Sequence, residues 1–384
     1  MDAGLLSFLI FSAVKIGVVF GAVMTMFAYA VLAERKISAA IQDRVGPNRV
    51  SFPLIGSIPV IGPFLTRLGI WQPLVDGVKA FTKEDYTPEH VRKGWFWLAP
   101  MVAMVPSVLV LAVIPFGSSM DFGKVFGLDF GRQAMVIADL NVGILYTFGI
   151  VSLSVYGIVL AGYASNSKFP FLGGIRASAQ MISYEIAMGM SVVPVFMIIG
   201  ELNLSDIIAY QAENGWLAFP LFASKMNTDA FVLLPCMVVS FLIFTVSAFA
   251  ETNRLPFDLP EAETELVSGY NTEYGSMKFA FFFMGEYIAM IAGSAMIVVL
   301  FFGGWTLPFW GLDQTADTLV KGVLQILIFV GKLSVFLGMM IWVRWMLPRF
   351  RYDQLMDLGW RRILPLALAN IVLTAVLIYW NHAS

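Results

Sequence analysis

Long apolar stretches alternate with short polar ones along the whole chain. Eight of the apolar stretches reach the length of about 20 residues that a helix needs to cross a membrane. They cover residues 5–32, 95–116, 141–162, 178–199, 230–250, 279–301, 322–345 and 362–380. No soluble domain fits between them. The pattern therefore predicts one polytopic membrane domain over residues 1–384, all-α, with eight transmembrane helices. Gly189, Pro194, Gly293 and Gly338 fall inside these stretches. They need not end them, because neighbouring helices satisfy the backbone groups such residues free within a membrane. A shorter element lies between spans one and two. There Leu68, Trp71, Leu74, Val75, Val78 and Phe81 recur at helical spacing, with Asp76, Lys79 and Lys83 between them. This predicts an amphipathic helix lying in the membrane interface. A helix packed on a partner protein would show the same pattern.

The densest polar stretch separates spans five and six. Residues 249–274 carry six acids, Glu251, Asp258, Glu261, Glu263, Glu265 and Glu273, and a single base, Arg254. Pro256 and Pro260 stiffen the backbone by fixing φ. Leu255, Phe257, Leu259, Leu266, Val267 and Tyr270 thread the stretch, which a purely solvated connector would not need. It reads as a packed, functional loop.

Composition agrees with the pattern. The chain is 59% hydrophobic and only 13% charged, and its mean hydropathy is +0.79. Soluble domains run at about 45–50% apolar residues. The net charge of −2 says nothing about partners. One cysteine, Cys236, forms no internal disulfide and ligates no iron–sulfur cluster alone. His90 and His382 match no metal spacing. The sequence shows no dinucleotide-binding G-x-G-x-x-G, no Walker motif and no G-x-S-x-G elbow. No catalytic residue and no metal site are therefore expected in this chain alone. The N-terminal apolar run lacks a basic flank and exceeds a signal peptide in length, so it is expected to remain as the first span.

Lys and Arg are unevenly shared between the loops. Those after spans one, three, five and seven hold eighteen, and the opposite loops hold four. The positive-inside rule then places both termini outside and the acidic stretch inside. Glu201, Asp206 and Glu213, on the outer side, read as solvated surface. The last inner loop is basic, with Trp345 and Trp360 at its ends, and reads as a lipid-headgroup anchor.

Two carboxylates fall inside spans. Glu185 lies seven residues into span four, roughly 10 Å at 1.5 Å per residue, and Glu286 lies at similar depth in span six. A charge at the bilayer centre costs at least ~2.5–3.5 kcal/mol. An isolated carboxyl there is more stable neutral, and a group that can bind and release a proton is what a relay requires. A protonated Glu hydrogen-bonded to a neighbouring helix would look the same in the sequence. With Glu34 at the end of span one and the acidic loop between spans five and six, the two suggest a connected proton path. Lys15 and Lys332 also fall inside spans. Lys15 can snorkel or pair, and Lys332 can face the interior with a carboxylate partner.

Several stretches resemble one family. They are Ala33-Glu-Arg-Lys36, Gln42-Asp-Arg-Val-Gly-Pro-Asn48, Phe81-Thr-Lys-Glu84, Ile182-Ser-Tyr-Glu-Ile186, Phe249 to Asp258, Glu273-Tyr274 and Phe283-Met-Gly-Glu-Tyr287. The family is the heel subunit of proton-pumping NADH:quinone oxidoreductase, respiratory complex I, known as the H subunit in bacteria and as subunit 1 in mitochondria. The likeness runs from the first span to the last, and only 116–141 and 199–230 are undiagnostic. It implies an eight-helix subunit at the junction of the hydrophilic and membrane arms, forming a quinone-access tunnel. It implies quinone as substrate, ubiquinone ahead of menaquinone, with FMN and iron–sulfur clusters in partner subunits. By that likeness Arg35, Trp71, Asp76, Phe283, Met284 and Tyr287 line the tunnel. Glu34, Glu185, Glu251, Asp258, Glu261, Glu263, Glu265 and Glu286 form the acidic path. The implied partners are the peripheral quinone-module and membrane-arm subunits and the bilayer, with no nucleic acid. The implied location is the bacterial inner membrane, ahead of the mitochondrial one. Two alternatives stay open on the residues: the membrane anchor of an energy-converting hydrogenase, and a stand-alone ion-coupled transporter. The absence of internal repeats argues against the second.

Overall fold

The computed structural model describes residues 3–51, 61–125, 128–129, 131–219, 228–260, 263–308 and 311–383. Among them, eight helices are long and apolar enough to cross a membrane. In chain order the helices are α1 (Ala3–Ile41), α2 (Ile61–Leu68), α3 (Gln72–Thr82), α4 (Lys93–Val110), α5 (Gly143–Ala164), α6 (Lys168–Ile199) and α7 (Leu204–Asn214). Then follow α8 (Thr228–Glu251), α9 (Glu263–Leu266), α10 (Ser276–Phe301), α11 (Leu319–Met346), α12 (Tyr352–Asp357) and α13 (Leu364–Ala383). A π turn, Leu358–Ile363, joins α12 to α13 into one continuous rod. The chain is thus an all-α integral membrane protein.

The bundle is built around α10. In its most apolar window 72% of residues are buried, against 17% for α1 and 28% for α11. Residues Ala295 to Phe301 are all below 4% exposed. Small residues allow the other helices to close in, as membrane bundles require. A Cβ on Gly157 of α5 would collide with the Ala103 backbone nitrogen of α4, and one on Gly162 would stand 2.6 Å from the Pro170 oxygen of α6.

Three helix boundaries differ from the apolar runs for physical reasons. α1 continues past Leu32 to Ile41, because Glu34, Arg35, Lys36 and the alanines that follow are good helix formers. Hydropathy marks the end of the apolar run, not of the helix. α6 begins at Lys168, ten residues before its apolar run. Pro170 sits in its first turn, where no backbone N–H is needed. α4 ends at Val110, short of the expected Phe116. The chain then turns into β structure that the apolar pattern does not announce. β1 (Gly117–Asp121) pairs antiparallel with β4 (Arg132–Met135), and β2 (Lys124–Val125) with β3 (Leu128–Asp129). Lys15 of α1 donates to the carbonyls of Ala134 and Val136 at 3.2 and 2.6 Å, tying this hairpin to the bundle.

Candidate functional site: an ion cluster beside an apolar cleft

The extra turns of α1 carry Glu34 into the interior, where it is 7% exposed. Its two oxygens accept from Arg254 Nη1 at 3.2 and 3.1 Å, from Arg344 and from the Tyr287 hydroxyl. Arg254 Nε also pairs with Glu286. The Arg254 guanidinium lies over the Tyr287 ring, 4.2 Å from its centroid. One buried arginine thus bridges two carboxylates from different helices. Burial alone would lower its pKa, but Glu286, Tyr287 and Glu34 raise it above the ordinary value. It stays charged at any physiological pH.

The segment after α11 extends this cluster. Arg349 Nη2 bonds Asp258 Oδ2 at 3.1 Å, the Phe350 amide donates to the Pro256 carbonyl at 3.0 Å, and Phe350 stacks on Phe257. Burial raises the Asp258 pKa, outweighing the opposing pull of Arg349, Arg344 and Arg254. The basic segment read as a headgroup anchor therefore turns Arg344 and Arg349 inward. Arg351, Arg361 and Arg362 do stay at the surface, paired with Asp353 and Asp357. For Arg344 and Arg349 the reading does not hold, because the number of bases in a loop carries no information about their direction.

The remaining acids are arranged in two ways. Glu251, the last residue of α8, lines two small cavities of about 50 and 40 Å³. Glu286 lines the larger one, and Ser107 and Thr252 line both. Each is roomy and polar enough for water, which needs ~10–15 Å³ of such space. Glu185 accepts from Ser152 of α5 and lies within electrostatic reach of Glu251. Glu265 pairs with Arg176 at 2.7 Å on the surface. Glu261 and the side chain of Glu263 lie outside the described residues. Glu185 is the eighteenth residue of α6 and Glu286 the eleventh of α10, because α6 begins ten residues before its apolar run.

Beside the cluster lies a cleft of about 460 Å³. Its walls are α1 with Phe27, Val31 and Arg35, α3 with Pro73, Asp76 and Phe81, and α10 with Phe279, Phe283 and Met284. Arg35 Nη1 donates to Asp76 Oδ2 at 2.6 Å, and Gln72 holds the other Asp76 oxygen at 2.9 Å. Trp71 precedes α3 and Tyr287 sits in the ion cluster; neither lines this cleft. No residue of α3 is buried within the chain. Its C-terminal end is fastened to α10: the Ser276 hydroxyl bonds the carbonyls of Ala80 and Lys83, and Lys278 bonds Thr87 and Asp85.

Arg254, Arg344, Arg349, Ser276 and Lys278 are the site residues that sequence reasoning did not assign. Only Arg254 gave a signal, as the lone base among six acids. Among the described residues no group of His, Cys, Asp or Glu is gathered to hold a metal ion.

A family model described as NADH dehydrogenase matches residues 14–375. An H subunit of NADH-quinone oxidoreductase from Cytophaga hutchinsonii is 43% identical over 375 residues, covering 97% of each chain. The corresponding protein of Geobacter metallireducens is 44% identical over 361 residues, covering 94% of each. That of Flavobacterium johnsoniae is 41% identical over 375 residues, covering 97% of this chain and 96% of its own.

Proposed function

The chain belongs to the NADH dehydrogenase family, with H subunits of NADH-quinone oxidoreductase as its close relatives, and from that premise we propose that it admits quinone from the bilayer and couples quinone reduction to proton translocation. One observation carries this reading. A single turn of α10 bears Phe283 and Met284 on the cleft and Glu286 and Tyr287 in the ion cluster. Substrate and proton-bearing groups therefore share one wall.

The chemistry of a quinone suits such a wall. Its tail is apolar, and the cleft falls within the ~300–1,000 Å³ range of small-molecule sites lined mainly by apolar groups. Its head gains two electrons and two protons on reduction, so the pathway needs a polar end, which Arg35 and Asp76 supply. The electrons come from an iron–sulfur cluster of a partner subunit, where FMN also resides. Ubiquinone is favoured over menaquinone. Protons pass among Glu34, Glu286, Glu251 and Glu185, with Asp258, Glu261, Glu263 and Glu265 completing the acidic path. A change of charge at the quinone shifts the pairing of Arg254 between Glu34 and Glu286, and so biases the neighbouring membrane-arm subunits. The protein lies in the bacterial inner membrane with both termini periplasmic.

The test uses Glu286→Gln and Glu185→Gln in the assembled complex. Both are expected to lower quinone reduction and proton yield while NADH oxidation by ferricyanide stays near normal. Wild-type quinone turnover and proton yield in both variants would refute the relay.

A further inference from the structure

Lys332 of α11 takes no part in the site above, yet it is partly buried within a membrane-spanning helix. Its ammonium donates to the carbonyls of Phe302, Gly304 and Thr306 at 2.6, 3.0 and 2.7 Å, and stands 4.1 Å from the Trp216 ring centroid. Among the described residues it has no carboxylate partner. These carbonyls belong to the turn that ends α10.

Carbonyls at a helix end are left without intrahelical partners. Here each one is accounted for. Val298 O receives the amides of Phe302 and Gly304, Gln211 Nε2 reaches Val299 O and Leu300 O at 2.8 and 3.2 Å, and the Ala218 amide reaches Phe301 O. Gly303 O receives the amide and hydroxyl of Thr306, and Lys332 takes the carbonyls of Phe302, Gly304 and Thr306. Gly303 and Gly304 adopt φ of +67° and +55° to turn those carbonyls towards it, a conformation glycine reaches without a Cβ clash.

The arrangement matches a cation. An ammonium has three donors and no acceptor, so three carbonyls use all its protons, whereas a neutral amine would turn a lone pair on one of them. The negative end of the helix dipole and the face of an indole both favour positive charge.

We infer that Lys332 is a positioning residue that fixes α10, and with it the cleft wall and the ion cluster, from the far end of the helix. α11 holds α10 at two levels: Lys332 grips its C-terminal turn, and Arg344, twelve residues on, grips Glu34, which binds Tyr287. A rod clamped at both levels holds Phe283, Met284, Glu286 and Tyr287 in register against α1 and α3. Shifts of ~1 Å at such groups cost ~100-fold in rate. The inference rests on the quinone and proton reading above.

The experiment is done on the assembled complex. Lys332→Met is expected to raise the quinone KM and to lower kcat, each by about tenfold, the scale of losing a charge-assisted hydrogen bond, and to lower the protons moved per NADH. Oxidation of NADH by ferricyanide should not change. In Lys332→Ala, propylammonium should restore turnover, because it replaces the missing carbons and nitrogen, while propanol should not. Wild-type KM, kcat and proton yield in Lys332→Met would overturn the inference, as would equal rescue by propanol. If Lys332→Met fails to assemble, Lys332→Arg decides. Its planar fork keeps the charge but cannot converge on three carbonyls, so a raised KM supports the role and wild-type kinetics overturn it. Glu286→Gln is measured alongside. Wild-type behaviour there as well would remove the underlying reading, whereas wild-type behaviour in the Lys332 variants alone removes only this one.

Discussion

Arg254 is 3% exposed and faces two carboxylates, so its loss would leave Glu34 and Glu286 buried together with only Arg344 to offset them. Breaking a buried pair from one side costs ~3–5 kcal/mol. Arg254→Met is expected to prevent assembly or lower the thermal midpoint sharply, read by native gels and thermal scans of the complex. Asp258 should behave in the opposite way. Its pKa is raised by burial despite Arg349 beside it, so its ionisation opposes folding. The penalty is absent below the unfolded carboxylate pKa and grows as pH rises through the folded one. Asp258→Asn is therefore expected not to lower the thermal midpoint at pH 7, and to remove the part of the decline that accompanies rising pH on the acid side. A midpoint several degrees lower at pH 7 would show that the Arg349 pair outweighs burial.

At the scale of elements, close approach of helices decides the packing. α4 and α5 meet at Gly157, where any Cβ would press on the Ala103 backbone, which has no flexible end to yield. Gly157→Ala should force the two helices apart. Overpacking of this kind costs ~1–3 kcal/mol. The thermal midpoint should fall, and because Ala103, Ser107 and Ser154 line the small cavity between Glu286 and Glu251, proton yield should fall with it. An unchanged midpoint would mean that the helices separate freely at this point. The same stretch of sequence offers many glycines, and periodicity does not say which of them touches a neighbour.

For the whole molecule, α10 is at once the packing axis and the partition between cleft and ion cluster. α1 and α11, of which only 17% and 28% are buried in their most apolar windows, pack against it. A quinone carrying a photoreactive group and supplied through the bilayer is expected to label α3 or residues 279–284 of α10. Arg35→Met should weaken that labelling and raise the quinone KM, since Arg35 holds Asp76 across the cleft wall. Label confined to partner subunits would place the entry elsewhere.

The amino-acid sequence alone determined eight helices, an all-α membrane protein and a concentration of acids near one of its faces. A bilayer offers no hydrogen bonds to an unpaired backbone, so a long apolar run has few structures open to it. It also displayed Glu34, Glu286 and Arg254, but not that they meet. The Arg254–Glu34 contact joins residues 220 apart and the Arg344–Glu34 contact residues 310 apart. Charge pattern along a chain holds no record of such distances. Only the tertiary packing decided which base neutralises which acid, that Arg344 and Arg349 turn inward, and that Lys332 binds carbonyls and not a carboxylate. Each of these was settled by the high cost of leaving a charge or a carbonyl buried and unpaired.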